Sequence, residues 1–141
     1  MKANELRIGN WINDALEGIS QIGCIDTRSQ NVGLINPLGG SHDGTMLEFI
    51  QPILLTKEWL LKLGFDHDGY NEYTKGSLLL DNEYTDKGEW VVILKGVDIT
   101  PVESKNKYVC YYYPTKEIKY VHQLQNLYFA LTGEELVYEK S

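Results

Sequence analysis

Residues 118–136 read IKYVHQLQNLYFALTGEEL. On a wheel of about 100° per residue, Ile118, Val121, Leu124, Leu127, Tyr128 and Leu131 share one broad face, opposed by Lys119, Gln123 and Asn126. Gly133 stands where a left-handed residue closes a helix. The spacing therefore predicts a helix over 118–132. Six such side chains contribute on the order of 10 kcal/mol when buried, before ordering costs. Such a helix must lie on something, and the nearest candidate is the sheet that precedes it.

Tyr108-Val109-Cys110-Tyr111-Tyr112-Tyr113 runs up to Pro114 and is rich in aromatic and β-branched residues, which suit a pleated, half-buried surface. Upstream lie Glu72-Tyr73-Thr74, Leu78-Leu79-Leu80, Trp90 to Leu94 and Val97-Asp98-Ile99, each bounded by turn-forming residues. Strands are thus expected within 70–113, sealed by the last helix. Before them, Thr56 reads as an N-cap for a helix over 56–63. Glu58 occupies its first turn, Trp59, Leu60 and Leu63 share one side, and Gly64 follows as terminator. The first third alternates short apolar runs with Asn, Gly, Pro and Asp. Leu6 to Ile12, Ile19 to Ile25, Val32 to Ile35 and Met46 to Ile50 are its four expected strands. The overall reading is α+β, with two domains. Residues 1–54 form a small SH3-like β-barrel or meander, and residues 55–141 a helix, an antiparallel sheet and a C-terminal helix.

The chain has 141 residues, with 13 bases against 20 acids, a net charge of −7. Residues 1–55 carry three bases against six acids, so neither part of the chain is basic. An acidic field disfavours a polyphosphate partner. Cys24 and Cys110 are far apart and form no CxxC pattern. With no leader-like apolar core at the N-terminus, a reducing, cytoplasmic setting is expected. No apolar run reaches the roughly 20 residues that cross a bilayer, so no membrane partner is expected.

Three stretches carry a resemblance: residues 1–12 (MKANELRIGNWI), residues 55–65 (LTKEWLLKLGF) and residues 118–136. In that order they resemble a family of uncharacterised small proteins from Bacteroides-type gut bacteria and their prophages. The resemblance spans the chain. It implies a prophage or mobile-element context and carries over no catalytic residue. Leu6 to Ile12 followed by Gly18-Ile19 is also similar to the opening of SH3-like barrels of the KOW type, which often touch RNA or ribosomal surfaces. This chain lacks the basic residues of those barrels around the turn.

His42-Asp43 and His67-Asp68 are expected in loops, where one His and one Asp fall short of a metal site. No Gly-Lys-Ser/Thr follows the glycines at 39–44, so they are not a phosphate loop. His122 sits at the border of the last helix's apolar face. Cys110, among tyrosines, reads as a structural thiol. Tyr111, Tyr112 and Tyr113, flanked by Lys107 and Lys116, are the most distinctive group. Together with Trp11 they are the expected contact residues. The expected function is a non-catalytic binding or accessory protein with a protein partner, without cofactor or metal, and with a homodimer open. The alternatives are single-stranded nucleic-acid binding by the tyrosine strand and a small metal-dependent hydrolase using His42, His67 or His122.

Overall fold

The computed structural model describes residues 1–69, 71–82, 89–95, 110–111 and 117–139. Among the described residues, two helices and two antiparallel sheets make an α+β fold. The chain divides into two compact units, Met1–Leu54 with Tyr120–Leu136, and Leu55–Lys119 with Val137–Ser141.

The first unit holds β1 (Trp11–Asp14), β2 (Gly18–Asp26), β3 (Asn31–Ile35), β4 (Ser41–Met46) and β5 (Ile50–Gln51), in the order β4-β3-β2-β1-β5. In a flat sheet, four strand spacings of about 4.8 Å would set the edge strands β4 and β5 about 19 Å apart. Only Leu47–Phe49, a single 3-10 turn, joins them. Three residues of 3-10 helix rise about 6 Å. The sheet must therefore roll. The contact of His42 on β4 with Glu17 in the β1–β2 turn, Nε2 to Oε1 3.2 Å, fits the same roll. Register shifts between Ile22 and Cys24 and between Val32 and Leu34 supply the local bending. The roll stops short of closure, because among the described residues no ladder joins β4 to β5. The rolled face encloses Leu6, Ile12, Ile22, Val32, Leu34, Leu47 and Ile50.

Strand boundaries differ from expectation in two places. Residues 6–10 are not strand. Arg7 N–H donates to Asn10 Oδ1 at 2.7 Å and Asn10 N–H to the Arg7 carbonyl at 3.0 Å. Gly9 takes a φ of 93°, so the strand begins only at Trp11. The expected strand Met46 to Ile50 is mostly the 3-10 turn. The strand before it, β4, covers His42-Asp43, which the sequence places in a loop. An edge strand with both faces exposed carries no apolar alternation to betray it.

The helix α2 (Val121–Thr132) ends at Gly133, whose φ is 74°. It belongs to the first unit, not with the strands that precede it in sequence. Its buried residues are Val121, His122, Leu124, Gln125 and Tyr128. The helical period matches the reading, but the buried face is turned to include Gln125, and Leu131 is half-exposed.

The second unit contains α1 (Lys57–Lys62), then β6 (Asp66–His67), β7 (Glu72–Lys75), β8 (Leu78–Asp81), β9 (Val91–Lys95) and β10 (Cys110–Tyr111), an antiparallel meander in sequence order. Thr56 Oγ1 accepts the Trp59 N–H at 3.3 Å, the expected cap. Lys75 Nζ donates to the carbonyls of Leu63 and Gly64, at 3.2 and 3.3 Å, satisfying the negative end of α1. Trp90 exchanges both main-chain bonds with Ile118, and its indole N–H donates to the Leu55 carbonyl at 2.8 Å. Val97-Asp98-Ile99 lies outside the described residues.

Candidate functional site

Among the described residues, the densest polar constellation joins the N-terminal stretch to α2. β2 pairs with the whole of β1, but on the other side β5 pairs only with Asn13 and Asp14, leaving the Trp11 end of that edge without a strand. Gln125 fills that place. Its Oε1 accepts the Trp11 N–H at 2.8 Å and its Nε2 donates to the Gly9 carbonyl at 3.1 Å. One side-chain amide thus serves the two main-chain groups that a further strand would have taken. Asn126 continues the clasp. Its Oδ1 accepts from Asn10 Nδ2 at 2.9 Å, and its Nδ2 donates to the Glu5 carbonyl at 3.0 Å. Arg7 lies over the Phe129 ring, 4.0 Å from its centroid, and grips both carboxylate oxygens of Glu135. Asn10 and Gln125 are almost wholly buried, and each amide is used. A satisfied amide network of this kind fixes one arrangement of the chain and offers no group for proton transfer.

Trp11 is 8% exposed, so its indole packs and is not presented at a surface. The histidines occupy three distinct settings. His42 is exposed on β4 and pairs with Glu17. His67 stacks on Tyr73 with ring centroids 4.5 Å apart. His122, 4% exposed, stacks on Tyr120, and its Nδ1 has no hydrogen-bond partner. Burial holds the His122 imidazole below its ordinary pKa of 6.5, against an opposing pull from Glu5. Among the described residues no three His, Cys, Asp or Glu side chains are grouped to hold a metal ion. Cys24 carries a free, exposed thiol. Tyr111 pairs through its main chain with Leu94, and Cys110 with Lys95. Tyr112, Tyr113, Lys107 and Lys116 lie outside the described residues.

Two surface features of the first unit had no sequence signal. In a meander the β1–β2 and β3–β4 turns share one end of the sheet. There Leu16 and Leu38 are 89% and 90% exposed. Ile19 and Ile35 are half-exposed below them. Ile35 pairs with Gln21, so Ile19 is its diagonal neighbour on the same face. At the opposite end, an open cleft lies beside the β2–β3 turn. Among the described residues no helix is long and apolar enough to cross a membrane.

No family model, curated protein or solved structure matches this chain.

Proposed function

We propose that the chain is a non-catalytic binding or accessory protein, of prophage or mobile-element origin, that acts through protein contacts. The observation that carries this reading is the apolar end of the first sheet. Leu16 and Leu38 stand almost fully in water on adjacent turns, with Ile19 and Ile35 beneath them. Grouped apolar side chains of this size favour a covered state. The first unit holds three bases against eight acids, a net charge of −5. A partner surface with basic residues around an apolar patch complements it, whereas a phosphate backbone is repelled. The rolled order β4-β3-β2-β1-β5, with one 3-10 turn linking the edge strands, supports an SH3-like arrangement as the scaffold. Tyr111, with Tyr112, Tyr113, Lys107 and Lys116, remains the second proposed contact set.

The test is capture of partners from a Bacteroides-type host with immobilised wild-type protein and the Leu16→Ser/Leu38→Ser variant. The variant keeps its circular dichroism because neither leucine is buried. A specific partner retained by wild type and lost by the variant supports the reading. An unchanged set of retained proteins, or none in either case, overturns it. A Tyr111→Ser/Tyr113→Ser variant separates the two contact sets. Sedimentation analysis distinguishes a second copy of the chain from a foreign partner.

A further inference from the structure

The edge strand β4 carries a free main-chain margin. Leu47 N–H donates to the Gln30 carbonyl and Asn36 N–H to the Gly40 carbonyl, each at 3.0 Å. These two bonds bracket the β3–β4 ladder. Opposed residues of an antiparallel pair alternate between bonded and non-bonded. Gln30/Leu47 and Asn36/Gly40 are bonded, so the next pairs inward, Asn31/Met46 and Ile35/Ser41, are not. The main-chain groups of Ser41 and Met46 therefore point away from β3. β4 is the last strand of its sheet, and among the described residues no hydrogen bond reaches those groups. Between them the register shift leaves Asp43 and Gly44 opposite the single residue Gly33.

Side chains leave this margin open. Ser41, His42, Asp43, Gly44 and Met46 are all exposed. The strand has neither the lysine nor the proline that commonly blunts an edge. Its one such device is the bulge, which restricts regular pairing to a short segment. The same stretch opens onto the cleft beside the β2–β3 turn. That cleft has a volume of about 550 Å³, and Gly44, Met46, Leu47 and Glu48 are among its lining residues. No basic side chain lines it. Glu48, and Asp43 on β4, are exposed carboxylates.

We propose that β4 takes up an extended segment of a partner protein as an added outer strand of the first sheet. The segment exchanges main-chain bonds with Ser41 and Met46. One of its apolar side chains enters the cleft against Met46, and basic residues on either side answer Asp43 and Glu48. An added strand draws affinity from its main-chain bonds and specificity from pockets that receive alternate side chains. Here Gly44 and Met46 belong to both the margin and the cleft. The proposal rests on the reading of the chain as a protein-binding module, and names the form in which the partner's chain arrives.

The probe is a displayed library of random heptapeptides, selected on the full chain at low salt. Selected sequences are expected to alternate apolar and polar residues and to carry Lys or Arg. Bound peptide should slow hydrogen exchange at the Ser41 and Met46 amides, which exchange freely in the unbound chain, while His42 and Thr45, bonded to β3, are protected throughout. Met46→Pro is the sharpest variant. Met46 has a φ of −70°, which proline adopts, and its N–H has no partner in the fold. The variant therefore keeps its circular dichroism, loses one donor of the margin and binds peptide about tenfold more weakly or worse. Met46→Ala retains that donor and weakens binding less. Asp43→Asn/Glu48→Gln, which leaves the main chain unchanged, weakens binding at low salt. No enrichment of any peptide, protection that appears elsewhere, or undiminished binding by Met46→Pro or by Asp43→Asn/Glu48→Gln overturns the proposal. Protection of Ser41 and Met46 that rises with protein concentration in the absence of peptide, with a dimer in sedimentation, gives the margin to a second copy and also overturns it. The Leu16→Ser/Leu38→Ser variant leaves the β4 main chain intact, so the two contact surfaces fail separately.

Discussion

Replacing Gln125 by leucine tests whether α2 completes the first sheet. Gln125 is 1% exposed and serves two main-chain groups. In Gln125→Leu the Trp11 N–H loses its acceptor where no water replaces it, a cost of about 1–3 kcal/mol. The Gly9 carbonyl suffers less, because Gln21 Nε2 still donates to it at 3.0 Å. That end forfeits about 0.5–1.5 kcal/mol. Leucine returns part of this through added apolar burial, so the net loss is about 2–3 kcal/mol. In urea, followed by far-ultraviolet circular dichroism, the midpoint should fall by about 1–2 M. Gln125→Glu sharpens the test. Its carboxylate would be buried beside the Gly9 carbonyl and costs several kcal/mol at neutral pH. Protonated, it accepts from Trp11 and donates to Gly9 as glutamine does. Its folded pKa is thus raised, and the stability it contributes is lost as pH rises through that value. A Gln125→Leu protein within about 0.5 kcal/mol of wild type, or a Gln125→Glu variant with no gain on acidification relative to wild type, refutes the reasoning.

His122 is held neutral by burial, with its folded pKa below the 6.5 of the unfolded chain. The unfolded state therefore binds the proton first. Stability from this group is full above pH 6.5, declines as pH falls toward the lower folded pKa, and levels off below it. Urea midpoints between about pH 5 and 7.5 should slope less in His122→Phe than in wild type; an identical slope removes His122 as the cause. A Cβ on Gly33 would lie 2.5 Å from Cys24 Sγ and 3.0 Å from Asp43 Oδ1. Gly33→Ala should cost about 1–3 kcal/mol, and Cys24→Ala in the same chain should recover much of it; additive losses in the double variant would contradict this. Thr56→Ala removes the cap on the Trp59 N–H and should cost about 1 kcal/mol by thermal unfolding.

Elements with a strong local rule were legible in the sequence. Thr56, Trp59 and Gly64 marked α1 because capping, burial and left-handed termination act within one helix. Gly133 ended α2 for the same reason. Where α2 docks was not legible. Its apolar face suits many surfaces, and the residues that choose the surface are amides: Asn126, which reads from sequence as solvent-facing, and Gln125, which the wheel assigned to neither face. One signal was present: Asn10 in the first stretch and Gln125-Asn126 in the last are amides within two of the three motifs quoted together. Complementary amides in distant motifs are what a clasp requires. The histidines misled in another way, since His42-Asp43 lies on strand β4 and His67 ends strand β6, with Asp68 just beyond it. The apolar turn tips and the cleft depend on the roll of the sheet, which arises from strand order and a three-residue connection, not from any local pattern.

The central claim is that the last helix supplies the missing neighbour of β1. Native-state hydrogen exchange of the Trp11 main-chain amide tests it most directly. The expected result is protection comparable to that of the Ile22 amide, which is bonded within the sheet to the Asn10 carbonyl, with selective loss in Gln125→Leu. Rapid exchange at Trp11 in the wild-type protein, while Ile22 stays protected, would mean that Gln125 does not hold the edge of the sheet.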